Sequence, residues 1–159
     1  MKGEVKKPAV LDWSAFLGLG IKESVSDFHC VEGWSVLECR WQGVPFVSLS
    51  EHIKPNREAK FVGFNCHDGY TTSLPLDVAL DDDVILACKL NEKWLDSDLG
   101  GPVRLIVPKK YAYKSAMWIK IIEFIKTDRL GYWESRGYSN TANPWRNDRW
   151  ARITEEHKA

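Results

Sequence analysis

The sequence predicts an α+β protein built from mixed β-sheets and short helices. Short apolar or β-branched-rich runs recur at Ser24 to Val31, Ala59 to Cys66, Val84 to Leu90, Val103 to Val107 and Trp118 to Lys126. Such runs read as strands. Helical signals are few and brief, and no 10–15-residue helical pattern alternates with the strands as a parallel βαβ sheet requires.

The elements follow in order. Residues 1–10 read as a loose lead-in. Leu11 to Leu19 reads as a short helix with Asp12 as N-cap and Gly18 or Gly20 closing it. Ser24 to Val31 alternates and forms a strand that ends at Cys30. Trp41-Gln42-Gly43-Val44-Pro45 carries turn residues. Val47 to Ile53 reads as a second short helix, stopped by Pro55. Ala59 to Cys66 is a strand that also ends at a Cys, and His67-Asp68-Gly69-Tyr70 is a turn. Leu76 to Leu80 gives one or two helical turns. Val84 to Leu90 is an apolar strand that Asn91-Glu92 folds back into Lys93-Trp94-Leu95 as a hairpin. Leu99 to Pro102 is a loop, Val103 to Val107 a buried strand stopped by Pro108, and Trp118 to Lys126 the last strand. Beyond Asp128 the chain turns aromatic, Gly-rich and polar, as a tail that wraps the body.

A chain of 159 residues fits one domain, expected over 1–159 with its core at about 11–150. Lys+Arg and Asp+Glu number 22 each, so nothing global favours nucleic acid or an anionic membrane surface. No apolar run reaches the ~18 residues of a membrane span. No signal peptide is read at the N-terminus, which predicts the cytoplasm. The four Cys, at 30, 39, 66 and 88, include no C-x-x-C pair. Their spacing predicts free thiols, mostly buried as small hydrophobes, rather than a disulfide scaffold.

Two strand ends carry Cys–His neighbours, His29-Cys30 and Cys66-His67. A Cys₂His₂ zinc site is one reading. Adjacent strand residues face opposite ways, however, and structural zinc prefers ligand pairs two to four apart. Gly100-Gly101-Pro102-Val103-Arg104, then Lys109, Lys110 and Tyr111-Ala112-Tyr113-Lys114-Ser115, form a second feature. Gly-Gly lets backbone N–H groups approach an anion, Arg104 can pair bidentately with a phosphate, and Lys114 and Ser115 add a charge and a hydroxyl. From residue types alone the simpler reading of both features stands: buried thiols beside polar histidines, and a solvated basic loop. The chain has no P-loop, nucleophile elbow, H-E-x-x-H or G-x-G-x-x-G. Asp81-Asp82-Asp83 reads as a solvated charge run.

The order of the blocks adds more. F-H-C-V-E-G-W-S (28–35), W-x-G-V-P-F (41–46), A-K-F-V-x-F (59–64), D-G-Y-T-T-S-L-P-L (68–76), G-G-P-V-R-L-I-V-P (100–108) and Y-A-Y-K-S-A-x-W-I (111–119) resemble the molybdopterin-binding domain of the sulfite oxidase family. The likeness leans to the prokaryotic branch that includes methionine-sulfoxide reductase catalytic subunits. G-Y-W-E-x-x-G-Y (131–138) and N-P-W (143–145) extend it across about residues 11–150. The resemblance implies a sulfite oxidase-type fold and a molybdenum–molybdopterin cofactor. It makes Cys30 the metal ligand and catalytic residue, since a soft thiolate suits a metal already held by dithiolene sulfurs. It sets the pterin contacts at His29, Cys66, His67, Gly101, Arg104, Lys114, Ser115, Ala116 and Met117.

Three departures bear on function. Met117 stands where relatives carry Lys, leaving Lys114 as the candidate replacement charge. The family's domain begins with several dozen residues more, which predicts a more open pocket or one closed by a partner. The arginines that true sulfite oxidases place beside the ligand Cys give way to Val31-Glu32-Gly33-Trp34, a poor setting for a small dianion.

The expected activity is therefore oxygen-atom transfer at a molybdenum–oxo centre, on S-oxides or N-oxides rather than sulfite. Electrons would come from a partner protein, and Trp34, Tyr132, Trp133 and Tyr138 would wall the substrate pocket. The rivals are a non-catalytic molybdopterin-binding module, a cofactor-free remnant, and a thiol oxidoreductase using Cys30 and Cys66.

Overall fold

A computed structural model describes residues 1–151. Two sheets make the frame. The first has the order β1 (Lys2–Gly3), β9 (Ile119–Ile125), β4 (Phe61–Cys66), β5 (Thr71–Pro75). Only β1 and β9 run parallel in it. The second has the order β2 (Lys22–His29), β3 (Ser35–Pro45), β6 (Ile85–Leu90), β7 (Lys93–Trp94), with β8 (Arg104–Ile106) also paired to β6. Helices α1 (Trp13–Gly18), α2 (Phe46–Ile53) and α3 (Leu76–Ala79) are short, as the sparse helical signals predicted.

The core lies between the sheets. Val44, Val62, Phe64, Leu86, Leu105 and Phe124 are buried there, with Phe46 and Leu49 of α2 packed among them. Phe46 meets Phe64 edge-on at 5.9 Å and Phe124 stacked at 6.0 Å. A smaller cluster of Cys39, Trp41, Ile85, Ala87, Leu95 and Ile106 has Phe28 packed against it.

Local chemistry explains most boundaries. Asp12 accepts the Ala15 N–H at 2.8 Å and starts α1. Asn91 and Glu92 both have positive φ, as a two-residue type I′ hairpin turn requires, and return β6 into β7.

Three expectations fail. Residues 41–45 are not a turn but the end of the eleven-residue β3. Gly43 sits where a Cβ would run into the Leu86 backbone, so this glycine serves close strand approach. Pro45 ends the strand and leads into α2. The lead-in contributes β1, and Thr71–Pro75 adds a strand that the turn at 67–70 should have announced. Beyond Asp128 the tail does wrap, with short 3₁₀ turns at Glu134–Arg136 and Pro144–Arg146. No helix among the described residues is long and apolar enough to cross a membrane.

Candidate functional site

Each sheet contributes one Cys-headed turn. Cys30-Val31-Glu32-Gly33-Trp34 joins β2 to β3. The Cys30 N–H donates to Trp34 O at 2.9 Å and the Gly33 N–H to Cys30 O at 3.1 Å. Gly33 has φ +101, the left-handed position that closes a three-residue hairpin loop. Cys66-His67-Asp68-Gly69-Tyr70 joins β4 to β5 with the same two bonds, at 3.0 and 3.1 Å, and Gly69 at φ +86.

Burial separates the two thiols. Cys30 is half-buried, whereas Cys39, Cys66 and Cys88 are buried. Cys66 is 5% exposed, and burial, with Asp68 nearby, pushes its thiol up to about 12. What that turn offers to solvent is His67, Asp68 and Gly69, not its thiol.

Arg104 is the buried cation of the region. Its Nη1 donates to Leu99 O at 3.0 Å, and its guanidinium lies 5.3 Å from the Phe28 ring and 5.3 Å from the Trp41 ring. Its Nε is buried without a partner. Burial lowers its pKa to about 10, so it remains protonated near neutrality. A buried cation with donors to spare is costly unless an anion answers it. Phe28 lies two residues before Cys30, whereas His29 is out of step with it.

Backbone bonds gather several predicted pterin contacts. The His67 N–H donates to Trp118 O at 3.0 Å, the Trp118 N–H to Gly100 O at 3.1 Å, and the Leu105 N–H to Ala116 O at 2.8 Å. Ser115 Oγ accepts the Val107 N–H at 3.0 Å. Cys66, His67, Gly101, Arg104, Ser115, Ala116 and Met117 thus fall on segments that are tied together. Trp118, which sequence reasoning passed over, is the knot. It holds φ +51, a rare conformation for a bulky residue, and its Nε1 donates to Ser97 O at 2.7 Å.

Other predicted contacts are placed differently. Lys114 is fully buried, and its three N–H groups go to Ser73 O (3.0 Å), Glu134 Oε1 (2.5 Å) and Asn140 Oδ1 (2.8 Å). It has no donor left for a phosphate, so it does not replace the charge missing at Met117. Burial lowers its pKa while Glu134 opposes the shift. The Gly-Gly cradle is also closed. The Gly100 N–H donates to Ser97 O at 3.1 Å and the Gly101 N–H to Asp96 O at 2.8 Å. A Cβ at Gly101 would strike the Leu95 carbonyl, so this glycine is needed for close backbone approach. His29 bonds Ser35 Oγ at 2.8 Å and meets Trp145 edge-on at 5.4 Å, on neighbours unconnected with Arg104.

Among the expected pocket walls, Trp34 stands exposed on the Cys30 turn. Tyr132, Trp133 and Tyr138 form an aromatic chain with Tyr70 of the Cys66 turn. Among the described residues, no group of three or more His, Cys, Asp or Glu is arranged around a metal. Of the four thiols, Cys30 is the one not buried, and a soft thiolate with access is what a soft metal would take. A cleft of about 690 Å³ opens on the other side of Pro102 and Val103, against α1 and the N-terminal residues. Leu11, Trp13, Phe16, Val103 and Ile122 line it, an apolar surface unsuited to an anionic pterin.

A reachable thiol on a hairpin held by two backbone bonds, and a buried arginine with an unused donor near Phe28 of the strand that leads into it, suit a protein that holds a soft metal on an anionic organic carrier. The comparisons give the class a family. The chain matches the model for the oxidoreductase molybdopterin binding domain over residues 1–133, and it belongs to that family. It is 37% identical to the oxidoreductase YuiH of Bacillus subtilis, over 92% of this chain and 74% of that one. It is 32% identical to the protein-methionine-sulfoxide reductase catalytic subunit MsrP of Campylobacter jejuni, over 98% of this chain and 60% of that one. The sulfane dehydrogenase SoxCD of Paracoccus pantotrophus shares the fold, with a TM-score of 0.73 at 21% identity, over 79% of this chain and 37% of that one. The sulfite oxidase-type fold and the molybdopterin cofactor follow from these matches.

Proposed function

We propose that this protein catalyses oxygen-atom transfer with molybdenum–molybdopterin, reducing S-oxides, with Cys30 as the protein's ligand to the metal. The placement of Cys30 carries the reading: of four thiols it alone is not buried, and it heads a turn fixed by two backbone bonds. When bound, the cofactor would supply the two-electron redox chemistry and take up the oxygen atom that the S-oxide gives up, with electrons from the partner protein and protons from solvent releasing it as water. The protein supplies the rest. Cys30 would hold the metal as its thiolate, and Arg104 would turn its unused donors to the anionic pterin. Trp34, 54% exposed on the same hairpin, offers an apolar surface for the carbon substituents of a substrate.

The relatives support an S-oxide over sulfite, since MsrP is named for methionine-sulfoxide reduction. Glu32, exposed beside Cys30, also disfavours a dianion. An electron-transfer protein would deliver the electrons.

The test is metal and pterin analysis of protein made in a host that synthesises the cofactor, with Cys30→Ser alongside. Wild type should carry both, and the variant should lose molybdenum by roughly tenfold or more, as removal of a sole protein ligand demands. Equal metal in the two proteins would refute Cys30 as ligand. Loaded wild type that reduces no sulfoxide with dye-supplied electrons would make the chain a binding module.

A further inference from the structure

The sequence places no arginine near Cys30 apart from Arg40, yet the fold brings one to Val31 from 118 residues further along the chain. The Arg149 Nη1 donates to the carbonyl of Val31, inside the Cys30 turn, and the guanidinium lies against Gly33. Inside the turn, the Cys30 and Gly33 N–H groups are satisfied by Trp34 O and Cys30 O. Among the described residues, the hydrogen bonds that tie residues 31–33 to anything outside the turn reduce to the one from Arg149.

Arg149 is itself held in place. Its Nε donates to Asn147 Oδ1 at 2.6 Å, and its guanidinium lies 5.8 Å from the centre of the buried Tyr111 ring. Its carbonyl accepts the Ser139 N–H at 2.9 Å, while Ser139 Oγ donates to Asp148 Oδ2 at 2.8 Å. Tyr138 bridges to Trp150 just beyond. The side chain therefore reaches the hairpin from a braced segment and not as a loose tail. A charged donor fixed on two sides loses little freedom in making a third bond.

We propose that Arg149 is a positioning residue for Cys30, clamping the 30–34 turn from outside so that the thiol meets the metal in one orientation. This rests on Cys30 being the metal ligand, and the test separates the two ideas. The first readout uses metal-free protein: amide hydrogen exchange at Cys30 and Gly33 in wild type, Arg149→Ala and Arg149→Lys. Arg149→Ala should speed exchange at both amides about tenfold or more, the size of one lost charge-assisted bond. The core amide of Val62 should keep its rate. Arg149→Lys, which can reach Val31 O but cannot fork to Asn147, should recover part of the protection.

The second readout is the visible absorption of the loaded protein, which reports thiolate–metal geometry. It should change in Arg149→Ala and return toward wild type in Arg149→Lys. Unchanged exchange at Cys30 and Gly33, or acceleration spread evenly through the core, would overturn the clamp. Faster exchange with an unaltered spectrum would overturn its positioning role. Retention of molybdenum by Cys30→Ser would defeat the ligand assignment instead, and the exchange result would be unaffected by it.

Discussion

The turns Cys30-Val31-Glu32-Gly33-Trp34 and Cys66-His67-Asp68-Gly69-Tyr70 share a pattern of Cys, any residue, acid, Gly, aromatic. They also share a backbone, down to the paired N–H bonds and the left-handed glycine. Their surroundings differ. Tyr70 donates its hydroxyl to Tyr113 O at 2.5 Å and lies 5.9 Å from the Tyr132 ring. Burial, together with Glu134, raises the pKa of that hydroxyl. Behind it, Thr72 Oγ1 donates to Glu134 Oε1 at 2.6 Å, and Glu134 takes up Lys114. Trp34, the counterpart of Tyr70, is left in solvent. One turn is thus folded into the body and its thiol sealed. The other projects and keeps its thiol reachable. Thiol chemistry follows access and environment, so a motif shared by two turns becomes a candidate ligand in one only.

Three experiments sharpen that contrast. The largest effect falls on the sealed side. Lys114→Met removes one partner of a buried ion pair and strands Glu134, which should cost about 3–5 kcal/mol in urea unfolding. Arg104→Met strands no carboxylate, so it should cost far less stability while reducing pterin retention. If Lys114→Met were as harmless, the brace behind the Cys66 turn would be wrongly assigned.

Next comes reactivity. In metal-free native protein, iodoacetamide should modify Cys30 at a rate on the order of a hundredfold above Cys66, as mapped by peptide mass. Comparable rates would erase the difference between the turns.

The smallest effect is in alkali. The Cys66 thiol is raised from 9.0 to about 12 in the folded chain. Between those values the unfolded chain gives up a proton that the folded chain keeps, so stability is full below pH 9 and falls as pH rises toward 12. Cys66→Ala should flatten the slope of unfolding free energy over that window, whatever it does to the absolute value. An unchanged slope would mean that Cys66 is not the group responsible.

The sequence was a good guide where one residue decides local geometry. The Asp12 cap, the Asn91-Glu92 hairpin, and strands ending one residue before Cys30 and at Cys66 all follow from side chains acting on their own backbone. The ordered blocks also carried the family. Legibility failed where a residue's role depends on a distant neighbour. Gly43 and Pro45 look like turn residues until β6 is laid against β3. Lys114 looks like a phosphate ligand until Glu134 and Asn140 arrive from the tail.

Cys30 stands on both sides of that line. By itself the sequence determined a Cys at a strand end, followed by a glycine able to turn the chain, within a recognisable series of blocks. Tertiary structure alone decided that this thiol is open while Cys66 is closed, that Arg104 is buried with donors unused, and that Arg149 reaches the Val31 carbonyl. The reason is physical: turn geometry is set by nearest neighbours along the chain, whereas burial and hydrogen-bond supply depend on which surfaces pack together.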